Sequence, residues 1–202
     1  MGSARGTEQL SRSRTFGAGD VVLYPGPPGD LYQVVSGLVR LHAVDGDGLG
    51  ATLRYVKPGG YFGEEAVTGR PRRYFAEAVT AAAVTVLDPH YLSGADVRAL
   101  VLDLAVAIDR LNRSVLRLAT RPLKARVAAE LLELSDSAIA SVSEEGVATV
   151  RMTHDELAAA VGSVRETVTK VIGELVRAGA LRAGYAKLVI LDPDLLTEIA
   201  DA

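Results

Sequence analysis

The chain has 202 residues, of which 49% are hydrophobic, a net charge of −3 and no cysteine. That length supports one large or two small domains with packed cores. The composition excludes disulfides, thiolate zinc sites and cysteine-ligated iron–sulfur clusters, and it gives no global basic footprint for nucleic acid. No apolar run approaches the ~20 residues a membrane helix needs, and the stretch MGSARGTEQLSRSRTFGAGD lacks the apolar centre of a secretory signal. A cytoplasmic protein without membrane attachment is expected.

From about Phe16 to Leu87 the sequence is strand-like and cut into short pieces by Gly and Pro. Runs 21–24, 31–35, 38–44, 51–56, 76–79 and 83–87 are rich in β-formers. Turn chemistry separates them at 25–29 (PGPPG), 45–48 (DGDG) and 57–60 (KPGG). Many short strands at this spacing predict an antiparallel barrel or jelly roll.

From about 97 to 120 the period becomes helical. Leu100, Leu104, Ile108, Leu111, Val115 and Leu118 step by threes and fours, a narrow apolar seam close to a heptad. Such a helix can pack on the barrel or pair with its own copy, and the pattern favours dimerisation. Arg121-Pro122 breaks it. A helix at 123–134, a polar stretch at 135–146, a strand at 147–152, two further helices and a hairpin at 181–191 follow. The expected class is α+β in three parts: a β jelly-roll sensor-like domain over 1–96, a dimerisation helix over 97–121 and a winged helix–turn–helix DNA-binding domain over 122–202.

Thr153-His-Asp-Glu156 fits a capping box, and Ser163-Val-Arg-Glu166 fits a second one directly after Gly162, a residue free to take positive φ. Two capped helices joined by so short a turn form a helix–turn–helix. At about 100° per residue, Val164, Val168, Val171 and Leu175 share one stripe, and Leu157 and Val161 of the first helix meet it. Opposite lie Arg165, Glu166, Thr169 and Lys170. The N-terminal turns of such a helix enter a major groove. Arg can donate twice to guanine O6 and N7, Glu can accept from cytosine N4, and Lys can reach guanine or a phosphate. The same residues also suit a capped, solvated helix face. Residues 122–202 hold eight Lys and Arg against thirteen Asp and Glu, a net of −5. Positive surface must therefore be local, and modest non-specific affinity is expected.

The order of barrel, seamed helix and winged helix, with T-x-x-E-L-A-x-x-V-G-x-x-R-E-T-V-x-K over 153–170 and Pro58-Gly-Gly-Tyr-Phe-Gly-Glu64, resembles the CRP/FNR (cyclic-AMP receptor protein / fumarate-nitrate regulator) superfamily of bacterial transcription factors. The resemblance spans Phe16 to Leu191 and is most specific at Gly162 to Lys170. It implies base readout by Arg165, Glu166 and Lys170, and phosphate contacts by Thr153, Ser163 and Thr167, with Lys187 of the wing beside the backbone. Lys170 stands where the cyclic-AMP-responsive members carry arginine, and lysine lacks the planar fork. Double-stranded DNA, a second copy of the chain and RNA polymerase are the implied partners, with the turn at 141–146 as a polymerase contact. Half-sites like TGTGA/TCACA, one helical turn or roughly 34 Å apart, are the first expectation.

The same resemblance raises cyclic AMP. Gly63 and Glu64 match the family's glycine and ribose-binding acid, but Arg72-Arg73 stands in place of Arg-Ser, and Leu111 and Asn112 replace a Thr-Ser pair. The expectation is a vestigial pocket, with Glu64 and Arg72 as an ion pair closing it and Arg72, Arg73 and Tyr74 filling it, and hence an effector-independent activator with no cofactor. Effector-independent members are often stress-responsive, which implies stress genes by analogy. A cyclic-nucleotide-dependent regulator and a signalling module without DNA activity are the alternatives. His42, His90 and His154 stand apart, so neither haem ligation nor a cupin-type metal site is expected, and no nucleophile–base pair suggests an enzyme.

Overall fold

The computed structural model describes residues 12–46, 50–144 and 146–202. The turn expected at 45–48 and the loop at 141–146 therefore lie partly outside the described residues.

Short alternating strands bury one face each, so they pair at their edges and stack in two layers. Strands β1 (Arg12–Phe16), β2 (Val21–Leu23), β3 (Leu31–Ser36), β4 (Val39–Val44), β5 (Gly50–Val56), β6 (Tyr61–Phe62), β7 (Phe75–Ala78) and β8 (Ala82–Leu87) do this. They form two antiparallel sheets, ordered β1-β8-β3-β6 and β2-β7-β4-β5. The inward residues Val34, Val39, Leu41, Phe62, Ala76 and Val84 build the barrel core. Strand β1 precedes the stretch the sequence pattern marks. Its residues Arg12 to Thr15 are all exposed, so burial imposes no apolar alternation on them. A short helix, α1 (Glu65–Thr68), bridges β6 to β7.

Helix α2 (Gly94–Thr120) starts three residues before the expected position. A Ser93/Asp96 capping box fixes its first turn, the Asp96 amide donating to Ser93 Oγ at 3.2 Å and the Ser93 amide to Asp96 Oδ2 at 2.9 Å. The seam divides. Leu100 and Leu104 pack against Leu31, Tyr61 and Leu87 of their own barrel, and Asp103 accepts the Tyr61 amide at 2.9 Å. Ile108, Leu111, Val115 and Leu118 stay exposed, Val115 at 63%. Pro122 forces Arg121 into extended backbone, which ends the helix.

The rest is α3 (Leu123–Ser135), β9 (Ala140–Val142), β10 (Ala148–Val150), α4 (His154–Val161), α5 (Arg165–Arg177), β11 (Leu181–Gly184), β12 (Lys187–Ile190) and α6 (Pro193–Asp201), with the sheet ordered β11-β12-β10-β9. Part of the polar stretch 135–146 is thus a strand, β9, paired with β10. Helix α6 follows the hairpin and packs on α3 through buried Leu196. Asp192 caps it, accepting from the Leu195 amide at 2.9 Å, and Pro193 opens it.

The winged domain does not hang free. Leu38 of the barrel is buried in the cluster that holds Leu131, Leu157, Val168 and Leu175, and Tyr55 and Val79 pack against it. Lys57 Nζ donates to the Asp136 carbonyl at 3.0 Å. At this junction Glu130 of α3 is largely enclosed. Burial, then the charge of Glu133, push its carboxyl up to about 7 against the opposing pull of Arg117. The folded chain thus holds a proton that the unfolded chain releases from 4.5 upward, so Glu130 subtracts stability as pH rises through that interval to about 7. Glu130→Gln is expected to raise stability at pH 8, by on the order of 1–3 kcal/mol, and to leave it nearly unchanged at pH 5. Urea unfolding of both proteins at the two pH values checks this.

Candidate nucleic-acid interface

Helix α4 begins at a closed capping box. The Glu156 amide donates to Thr153 Oγ1 at 3.2 Å, and both the Thr153 amide (2.6 Å) and hydroxyl (2.8 Å) donate to Glu156 Oε2. It ends at Gly162 with φ 62 and ψ 53, a left-handed residue whose amide turns back to the Ala158 carbonyl. The Ser163 amide bonds to the same carbonyl at 3.0 Å. A Cβ at 162 would lie 2.9 Å from Leu118 Cδ2, so α2 also presses on this turn.

The second capping box does not form. Helix α5 starts at Arg165 with Val164 as N-cap and no side-chain cap bond. The backbone of Ser163 is already used in closing α4, which leaves its side chain one residue too early to cap α5. For the same reason Val164 is extended backbone outside the helix and 48% exposed, not part of the apolar stripe. Val168, Val171, Ile172 and Leu175 form that stripe and are buried. Arg126 Nη1 donates to the Val161 carbonyl at 2.7 Å, tying α4 to α3.

Arg165, Glu166, Thr167, Thr169 and Lys170 lie exposed on the opposite side of α5. The fold therefore brings all three expected base readers to one open helix end. Arg165 Nη1 lies 3.1 Å from Asp155 Oδ2 of α4, and His154 Nδ1 lies 2.9 Å from Thr169 Oγ1. Sequence spacing did not reveal either link, because both cross the turn. In this structure the N–H and O–H of Thr153 both go to Glu156. Ser163 is half-buried, and Thr167 and Lys187 are exposed. In the wing, Tyr185 at the β11–β12 tip is 99% exposed. The first turn of α5 faces the barrel across an open cleft of ≈ 680 Å³, with Arg40, His42 and Thr52 on the far wall.

The barrel pocket rearranges the expected polar set. Glu64 pairs with Arg54 at 2.8 Å and not with Arg72, because β5 runs beside it. Arg72 is 6% exposed and its nearest carboxylate is Glu65, at 3.9 Å. Arg73 is exposed and fills nothing, since side chains alternate about this strand-like segment and Arg72 and Tyr74 take the inward positions. The Tyr74 hydroxyl accepts the Gly63 amide at 3.0 Å and donates to Glu65 at 2.9 Å. Burial, then the charges of Glu64 and Glu65, push that hydroxyl up, so it stays a donor. Leu111 and Asn112 are exposed on α2. In this cradle the Gly63 amide donates to the Tyr74 hydroxyl and one Glu64 oxygen pairs with Arg54, while the other Glu64 oxygen and two of the Arg72 nitrogens are buried without a hydrogen-bond partner.

A family model described as a Crp-like helix-turn-helix domain matches residues 125–199, and one described as a cyclic nucleotide-binding domain matches residues 13–95. The transcriptional regulator SdrP of Thermus thermophilus is 51% identical over 96% of this chain and 96% of its own. The crystal structure of a CRP/FNR-family transcriptional regulator from the same organism superposes with a TM-score of 0.90 at 50% identity, covering 95% of this chain and 99% of that one. The chain belongs to the CRP/FNR family. It is a DNA-binding transcriptional regulator and not an enzyme. A more distant family relative, the cyclic AMP receptor protein of Thermus thermophilus, is 31% identical over 93% of this chain and 87% of its own. No helix among the described residues is long and apolar enough to cross a membrane.

The left-handed turn gives a direct test of this geometry. Gly162→Ala places a Cβ in an unfavourable backbone region and against Leu118, and is expected to cost about 1–2 kcal/mol. Chemical unfolding measures it, and circular dichroism of the folded variant should show the same helix content.

Proposed function

We propose that this regulator acts as a homodimeric activator that reads palindromic TGTGA/TCACA-like sites without an obligatory small-molecule effector. The observation that carries the reading is the exposed Arg165–Glu166–Lys170 face over the first two turns of α5. Arg165 donates to guanine O6 and N7, Glu166 accepts from cytosine N4, and Lys170 takes guanine or a phosphate. Ser163, Thr167 and Lys187 lie toward the backbone. The exposed half of the α2 seam, Ile108 to Leu118, supports pairing with a second copy. The end of β9, where Val142 is exposed beside the β9–β10 turn, supports a contact with RNA polymerase in the cytoplasm. Stress genes as targets rest on analogy with effector-independent members.

Effector independence is supported by the internal bonds of the pocket, Tyr74 on Gly63 and Arg54 on Glu64. One observation favours a second reading, control by an anionic nucleotide. Arg72 is buried with Nε and one terminal nitrogen lacking a hydrogen-bond partner, and Glu64 Oε2 is likewise buried without one. Fluorescence anisotropy on the palindromic duplex at fixed salt separates the two. Tight specific binding that ignores cyclic AMP supports the first reading, and binding that appears only with the nucleotide establishes the second.

Arg165→Ala is expected to cost about 1–3 kcal/mol at the cognate duplex and to relax preference at one base pair. Equal losses on cognate and random DNA would sink the assignment. Val115→Glu places a charge in the exposed seam and is expected to shift the sedimentation mass toward the monomer at low concentration. An unchanged mass would mean the seam is not the dimer contact.

A further inference from the structure

Asp155 is the second residue of α4 and Arg165 the first of α5, and the Gly162 turn brings their side chains to 3.1 Å. As a surface ion pair, with Asp155 61% and Arg165 64% exposed, it contributes little to stability. Its placement is costly for binding. In a helix–turn–helix the first helix crosses the phosphate backbone, and residues 122–202 carry a net of −5 with Asp155 among the acids. A carboxylate on that helix repels the ligand the domain must hold, so its effect has to be sought on Arg165 itself.

A guanidinium offers a planar fork of donors. The contact to Asp155 is through Nη1, which leaves the edge formed by Nε and Nη2 for a second planar acceptor pair. Guanine O6 and N7 are such a pair. A free arginine at a helix start would also turn to the nearest phosphate, a contact that carries no sequence information. We infer that Asp155 is a specificity-determining positioning residue. It holds Nη1 of Arg165 so that the opposite edge meets the guanine of a G·C pair in the major groove, and its charge discourages the phosphate alternative. The inference rests on the assignment of Arg165 as a base reader.

The test uses the full-length protein and selection from a randomised duplex pool, followed by anisotropy on the selected site, on that site with the guanine pair replaced, and on random DNA. Asp155→Asn is expected to lower the matched-over-replaced preference about 5- to 10-fold, the lower range for one base contact, with random binding equal or tighter. Asp155→Glu should keep most of the preference. In an Arg165→Ala background, Asp155→Asn should leave the preference unchanged, since the coupling runs through that side chain. Two results overturn the inference: an Asp155→Asn protein whose preference matches the parent, or one that tightens all three duplexes by a common factor. If Arg165→Ala itself leaves the preference intact, the base-reading assignment falls. If Arg165→Ala removes the preference while Asp155→Asn does not touch it, only the positioning role falls.

Discussion

The proposed reading face depends on the left-handed backbone of Gly162. Two amides, of Gly162 and Ser163, converge on the Ala158 carbonyl and stop α4 within one residue. The chain then has a single extended residue, Val164, before α5 begins. Two helices joined so tightly cannot lie parallel, and their crossing lets Leu157 and Val161 meet Val168 and Ile172 in one core. That packing leaves Arg165, Glu166 and Lys170 outward, and it also sets Asp155 against Arg165. The polar geometry of the interface is thus a consequence of an apolar contact and one backbone conformation.

The same core reaches into the barrel. Leu38 is fully buried with the residues of the winged domain, and Tyr55 and Val79 flank it. Leu118 of α2 lies against Gly162 from the other side. A shift of the barrel or of α2 therefore changes the surroundings of the turn that orients α5. These contacts are packed side chains between rigid elements, the kind of linkage that moves as discrete steps.

Much of this was legible in the sequence because the governing signals are local. The strand and helix periods, the Thr153–Glu156 box, Gly162 and Pro122 each act within a few residues. The second capping box failed for an equally local reason: Ser163 fits the pattern, but its amide is needed one residue earlier. Helix α6 had the signals of an Asp192 cap and Pro193, yet followed a hairpin that looked like a natural end. The Arg54–Glu64 and Asp155–Arg165 pairs could not be read from spacing, since strand register and helix crossing decide them. The division of the α2 seam was also hidden, because a heptad pattern does not say which of its turns meets the chain's own barrel.

That division has a physical logic. Leu100 and Leu104 sit where α2 leaves the barrel, and Asp103 anchors the Tyr61 amide between them, so the first half of the helix is immobilised within one chain. The second half, from Ile108 to Leu118, carries the same periodic leucines and valines, and these are exposed among the described residues. An apolar stripe of that length in water is unfavourable and marks a surface for a partner. Because the first half is fixed, the second half is presented at a set angle. Any partner that covers it meets Leu118, and through Leu118 the Gly162 turn, so association along α2 bears directly on the helix that carries the proposed reading face.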